Sequence, residues 1–210
     1  MWGFTLSAGM ADTVRERILE ATYACVARYG MAKTTVEDAA REARLSRATI
    51  YRYFPGGKEQ LIGETVAWES ARFFWRLAEA VAGAADFPRL LEDALMFAHK
   101  AIEEHAVLQK VLQTEPERLL PHLTIASDRL IPSIKTFLAP YIERERLRPG
   151  VSVDRAAEYL AHMVLSHTGT QGRWDLTDRA QVASLVRTEF LAGVLVPEPD
   201  VQRRDVTTNT

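Results

Sequence analysis

Three observations predict an all-α fold, with a small three-helix domain at the N-terminus and a larger helical domain after it. Apolar residues recur at spacings of three and four through nearly every segment, with almost no sustained alternation of apolar and polar positions. Residues that favour helix starts stand ahead of these runs, and Pro or Gly clusters close them. The length of 210 residues, 47% of them apolar, suits one or two globular domains.

Composition narrows the class further. Lys and Arg number 26 against 28 Asp and Glu, a net charge of -2, which excludes a highly charged disordered chain and a uniformly basic packaging protein. The single cysteine, Cys25, closes no intrachain disulfide and builds no cysteine zinc site, so a reducing, cytoplasmic location is expected. No apolar run approaches the roughly 18 residues of a membrane-spanning helix. Residues 1–11 read as a flexible extension in which Met10 is an alternative start after Trp2 to Gly9, and the polar stretch 197–210 reads as a disordered tail.

The elements follow in order. Thr13 and Glu16 form a capping-box pattern ahead of a first helix whose inner face is Val14, Ile18, Ala21, Cys25 and Tyr29, with Gly30 as its stop. Thr34 and Thr35 open a second helix, Val36 to Ala43. Arg44 and Leu45 make a two-residue turn, and Ser46 caps a third helix running to about Phe54. Pro55, Gly56 and Gly57 break the chain before a long helix from Lys58 to about Ala82, whose apolar residues span more than one stripe and call for two neighbours. Pro88 starts a helix to about Glu104. Shorter pieces follow, interrupted at Pro116 and Pro121, and then a helix from Asp128 to Leu147, bent at Pro132 and Pro140. Two cleaner helices close the fold, one capped by Ser152 and reaching about Thr168, the other capped by Thr177 or Asp178 and reaching about Leu195.

The segment from Thr34 to Phe54 meets the demands of a helix-turn-helix, in which two short helices cross closely enough for one to lie in a DNA groove. Ala39, Ala40 and Ala43 permit the close crossing, while Val36, Leu45 and Ile50, with Tyr53 as a further candidate, supply an apolar wedge. Arg47, Ala48, Thr49, Tyr51 and Arg52 then point outward, a mix suited to base edges and phosphates, because arginine chelates guanine and threonine or alanine touches a thymine methyl. Between Thr13 and Lys58 nine basic residues face five acidic ones, so this segment is +4 in a chain of -2. The cation excess gathers where nucleic acid would lie.

At these residues the chain resembles the tetracycline-repressor (TetR) family of bacterial transcription regulators. The resemblance is carried by Thr34-Thr35-Val36-Glu37-Asp38-Ala39-Ala40, by Ser46-Arg47-Ala48-Thr49-Ile50-Tyr51-Arg52-Tyr53-Phe54 and by Lys58-Glu59-Gln60-Leu61, and it spans roughly Val14 to Leu61. It implies a DNA-binding domain at 12–57 and a ligand-binding and dimerisation domain at 58–196. It further implies that Thr35, Tyr53 and Lys58 hold the phosphate backbone and that Arg47, Ala48, Thr49 and Tyr51 face the major groove. Arg44 and Arg52 complete the expected DNA-binding set. Two departures stand out: Arg44 occupies the turn where the family commonly has glycine, and the Pro55-Gly56-Gly57 link is one residue longer than in many members.

The resemblance also implies an effector pocket among the middle helices, for which Trp68, Trp75, Phe97, His99, His122, Tyr141 and His162 are candidates, and pairing of the last two helices with those of a second copy. Ala156, Leu160, Met163, Val164, Val182, Leu185, Val186 and Val194 are the expected dimer face. The five histidines show no metal-binding spacing, so neither metal nor cofactor is expected, and no acid, base or nucleophile constellation points to an enzyme. The function implied is a ligand-responsive repressor that binds an inverted-repeat operator as a homodimer and is released by a small apolar or amphipathic molecule. The alternative is a helical small-molecule-binding protein with a vestigial DNA-binding domain.

Overall fold

A computed structural model describes residues 14–169 and 172–197, with the side chains of 120, 122–130, 168 and 169 left aside. The proposed Thr13 cap, the N-terminal extension and nearly all of the C-terminal tail lie outside the described residues. Within them the chain is helical, with a single antiparallel bridge between Leu147 and Leu195 and no strand. The helices are α1 (Val14–Tyr29), α2 (Val36–Glu42), α3 (Arg47–Tyr53), α4 (Gly57–Val81), α5 (Phe87–Glu103), α6 (Ala106–Thr114), α7 (Pro116–Ile142), α8 (Val153–Gly169) and α9 (Arg179–Leu185). No described helix is long and apolar enough to cross a membrane.

The local signals place most boundaries within a residue or two. Gly30 takes a left-handed φ of +85° and ends α1, as a glycine without a Cβ can do cheaply. The Asp86 carboxylate accepts from the Arg89 N–H at 2.8 Å ahead of α5, and Asp178, not Thr177, caps α9 through the Ala180 N–H at 2.8 Å.

Two stretches differ from expectation. Pro116 opens α7 at a position whose N–H is unused anyway, and the helix then runs unbroken through Pro121, Pro132 and Pro140 to Ile142. Tertiary packing here overrides the breaker signal, which is strong only for an isolated helix. The last expected helix stops at Leu185 and gives way to a π-helical turn, Val186–Phe190, closed by the Leu191 N–H on the Val186 carbonyl at 2.9 Å. A continuous α-helix that buries Val182 and Leu185 would next turn Glu189 inward. The wider turn instead buries Phe190 at 0% exposure and leaves Glu189 half-exposed.

Two compact units divide the chain, Met1–Ala78 with Ile102–Ser127, and Glu79–Ala101 with Asp128–Thr210. In the first, Ile18, Leu19, Val36, Ala40, Ile50 and Phe54 form the core of α1 to α3, joined by Leu61 of α4. A second cluster packs Val111 of α6 and Leu119 of α7 against Val26, Met31 and Ile62. At the start of α6 the Leu108 N–H donates to His105 Nδ1 at 3.0 Å, and His105 Nε2 lies 3.5 Å from the Glu69 carboxylate, which also pairs with Arg72 and Arg76 at 3.3 and 3.6 Å. Burial works against ionising Glu69, but the His105 hydrogen bond and the two arginines outweigh it and hold its pKa below the ordinary value.

The second unit buries Leu90, Leu91, Leu95, Ile142, Leu160 and Phe190. Arg179 pairs with Asp93 at 2.8 Å, and Lys135 reaches Asp154 and Glu158, each at 3.0 Å. Ala156, Leu160, Val182, Leu185, Val186 and Val194 are all buried within the single chain, at most 4% exposed. Met163 and Val164 are half-buried. On the other side of α8, Glu158, Tyr159 and His162 are exposed.

Candidate DNA-binding surface

Thr35 is extended, with φ -118° and ψ 163°, and begins α2 with a capping box. The Asp38 N–H donates to Thr35 Oγ1 at 3.1 Å, and the Thr35 N–H donates to Asp38 Oδ2 at 3.1 Å. The Thr35 hydroxyl also donates to Asp38, and this bond is the main reason the Asp38 carboxyl is held below the usual carboxylate range. Thr34 is buried and its hydroxyl donates to the Gly30 carbonyl at 2.7 Å, tying the α1–α2 link back on itself.

Ala39, Ala40 and Ala43 are all buried, which lets α2 lie close against its neighbours. The turn to α3 is made by Arg44 at φ +52°, the one non-glycine with positive φ among the described residues. Its N–H reaches the Arg41 carbonyl at 3.1 Å, and the Leu45 N–H closes on the Ala40 carbonyl at 2.9 Å. The glycine-like conformation is therefore kept although the residue is not glycine.

Ser46 caps α3 by accepting from the Thr49 N–H at 3.1 Å. Ile50 and Phe54 point inward with 0% exposure, so the opposite side of the helix must face out. Arg47, Ala48, Tyr51 and Arg52 are exposed, whereas Thr49 is half-buried beside Ser46. Tyr53 is half-buried against the core cluster, with the Arg52 guanidinium 5.3 Å from its ring centroid. This seven-residue helix exposes two arginines, a tyrosine and an alanine on one side, residue types able to donate to base edges and phosphates or to touch a thymine methyl.

Lys58 stands one residue into α4 behind Gly57, whose φ is +67°. Its ammonium donates to the Ala32 carbonyl at 2.6 Å, while the Ala32 N–H donates to the Glu115 carboxylate at 2.6 Å. The two backbone polar groups of one residue are thus gripped, its carbonyl from α4 and its N–H from the residue ahead of α7. Glu115 fits there because Gly30 has no Cβ, which would run into its carboxylate. Lys110 adds a further tie by donating to the Ala27 carbonyl at 2.9 Å at the end of α1. Sequence reasoning missed Glu115 and Lys110, since no local pattern links residues 83 positions apart. It also missed Glu37, which pairs with Arg47.

Residues 18–65 match the family model for bacterial regulatory proteins of the tetR family. This segment is a tetR-family domain. Beyond it the likeness is one of fold. The tetR-family domain and the helices after it resemble the fatty acid degradation regulator FadR from Bacillus halodurans, at 19% identity, covering 85% of this chain and 96% of that one, with a TM-score of 0.55. A Mesorhizobium loti protein assigned to the same family is similar at 18% identity, 87% and 97% coverage and a TM-score of 0.61. The transcriptional repressor QsdR of R. erythropolis is similar at 15% identity, 89% and 97% coverage and a TM-score of 0.57. No curated protein matches the chain in sequence.

The effector-pocket candidates are spread over both units. Trp68 packs on the core of the tetR-family domain under the Arg72 guanidinium, and Trp75 is 54% exposed. Phe97 and His99 are half-buried, Tyr141 stacks on Phe137 at 5.5 Å, and His162 is exposed with Nδ1 donating to the Glu158 carbonyl at 2.8 Å. The side chain of His122 lies outside the described residues. A cavity of about 160 Å³ in the second unit is lined by none of them; Ser166, His167, Arg173, Trp174, Leu176 and Glu189 are among its walls.

Proposed function

We propose that the chain is a ligand-responsive transcriptional regulator, a cytoplasmic repressor that binds an inverted-repeat operator as a homodimer. In this reading residues 12–57 form the DNA-binding head and 58–196 the effector-binding and dimerisation body. The observation that carries it is the exposed row Arg47, Ala48, Tyr51 and Arg52 on α3, fixed from beneath by fully buried Ile50 and Phe54. Thr35, Arg44, Tyr53 and Lys58 flank that row as backbone contacts, and Thr49 reaches the groove from beside the Ser46 cap. Lys58 leaves the Ala32 carbonyl for a phosphate, or keeps it and acts by positioning the α1–α2 link.

The effector is a small apolar or amphipathic molecule bound in the body, and it lowers operator affinity by preferring an arrangement that DNA disfavours. Dimerisation pairs the last two helices with those of a second copy. The grip of Glu115 and Lys58 on Ala32 supports coupling, because α7 and α4 then move the same link that precedes α2.

The test is selection of bound duplexes from a randomised pool by the purified protein at two salt concentrations. Enrichment of an inverted repeat with steep salt dependence is expected. Salt-sensitive binding with no enriched sequence, or no binding at all, would refute the operator reading and favour a small-molecule-binding protein whose DNA-binding domain is vestigial.

A further inference from the structure

Arg47, on the exposed side of α3, is paired within the domain. Its Nη1 lies 2.5 Å from Glu37 Oε1 on α2, and its Nη2 donates to the Tyr51 hydroxyl at 3.3 Å. The guanidinium carbon sits 5.4 Å from the Tyr51 ring centroid. Glu37 is one of five acids in a segment with nine bases, and it does not cap α2, since Asp38 makes the capping box with Thr35. Both side chains are well exposed, at 60% for Arg47 and 50% for Glu37, so the pair is open to DNA.

We infer that Glu37 is a specificity-determining residue, which withholds Arg47 from phosphates and yields it to a guanine edge. The inference rests on the reading of this domain as DNA-binding. A phosphate drawn to Arg47 must bring its negative charge beside the Glu37 carboxylate, and like charges repel at that range. A guanine edge carries no net charge and offers two acceptors, O6 and N7, to a guanidinium that has five N–H donors and uses one for Glu37 and one for Tyr51. The carboxylate is in addition a natural acceptor for the N4 amino group of the paired cytosine. The two residues together favour one base pair and disfavour bare backbone.

The test uses the full chain and two probes, the duplex most enriched by the wild-type protein from a randomised pool and a random-sequence duplex of equal length. Glu37→Gln keeps the shape and removes the charge. Its affinity for the enriched duplex should stay within about threefold, its affinity for the random duplex should rise about three- to tenfold, and its salt slope on the random duplex should steepen by about 1. In an Arg47→Ala background the same substitution should give a markedly smaller rise, because its effect passes through Arg47. An unchanged ratio between the two probes overturns the inference, and so does an equal rise in both backgrounds. A wild-type protein that enriches no sequence fails earlier, and overturns the DNA-binding reading itself.

Discussion

Arg44 gives the sharpest test of the local physics. It holds φ +52° in the turn between α2 and α3, where an L-residue pays roughly 1–2 kcal/mol for the close approach of Cβ to the following carbonyl. Glycine has no such cost, but it gives the unfolded chain more freedom, worth about 0.5–1 kcal/mol. The difference makes Arg44→Gly stabilising by about 0.5–1 kcal/mol, since the hydrogen bonds of the turn use backbone groups that the substitution leaves in place. For a chain of this length that corresponds to a rise in Tm of about 1–4 °C, read by thermal melting at fixed protomer concentration. Arg44→Ala is the control, because it removes the charge and keeps the Cβ, and it should melt within about 1–2 °C of wild type. Both variants lose the same cation, so each should lower the salt slope of DNA binding by about 1 if Arg44 touches a phosphate. The reasoning fails if Arg44→Gly is no more stable than Arg44→Ala.

Two further outcomes follow from the first unit. Glu115→Ala leaves the Ala32 N–H without its charged acceptor and should cost about 1–2 kcal/mol in denaturant unfolding, whereas Glu115→Gln keeps a carbonyl oxygen there and should lose less than half of that; equal losses would show that the carboxylate does not hold the link. Glu69 has its pKa lowered by folding, so its ionised form contributes stability above the ordinary value of 4.5, and that contribution disappears as pH falls through the lower folded value. Glu69→Gln should therefore be less stable than wild type near neutral pH, with the gap closing in melts carried down below pH 4.5; a gap that stays constant with pH would refute the assignment.

Most of what the sequence revealed came from short-range signals. Capping residues at Thr35, Ser46 and Ser152 marked helix starts because a side-chain oxygen can satisfy an orphan backbone N–H only from that position. The exposed side of α3 was legible because Ile50 had to join the apolar wedge of the crossing, whereas the burial of Phe54 came only with the structure. Arg44 in a glycine position announced strain, and the turn bears it. An amphipathic face is a less specific signal. Ala156, Leu160, Val182 and Leu185 carry the right pattern, but a pattern states that a face is buried and not what buries it.

The sequence by itself therefore determined the helical class, the order of elements from α1 to α5 and α8, and the tetR-type segment, because periodicity and capping act over a few residues. Only the tertiary structure decided that α7 runs through three prolines, that the last helix widens into a π-turn to bury Phe190, and that Glu115 grips the link ahead of α2. Each of these depends on contacts between residues far apart in the chain, whose energies outweigh local preference and leave no periodic trace in the sequence.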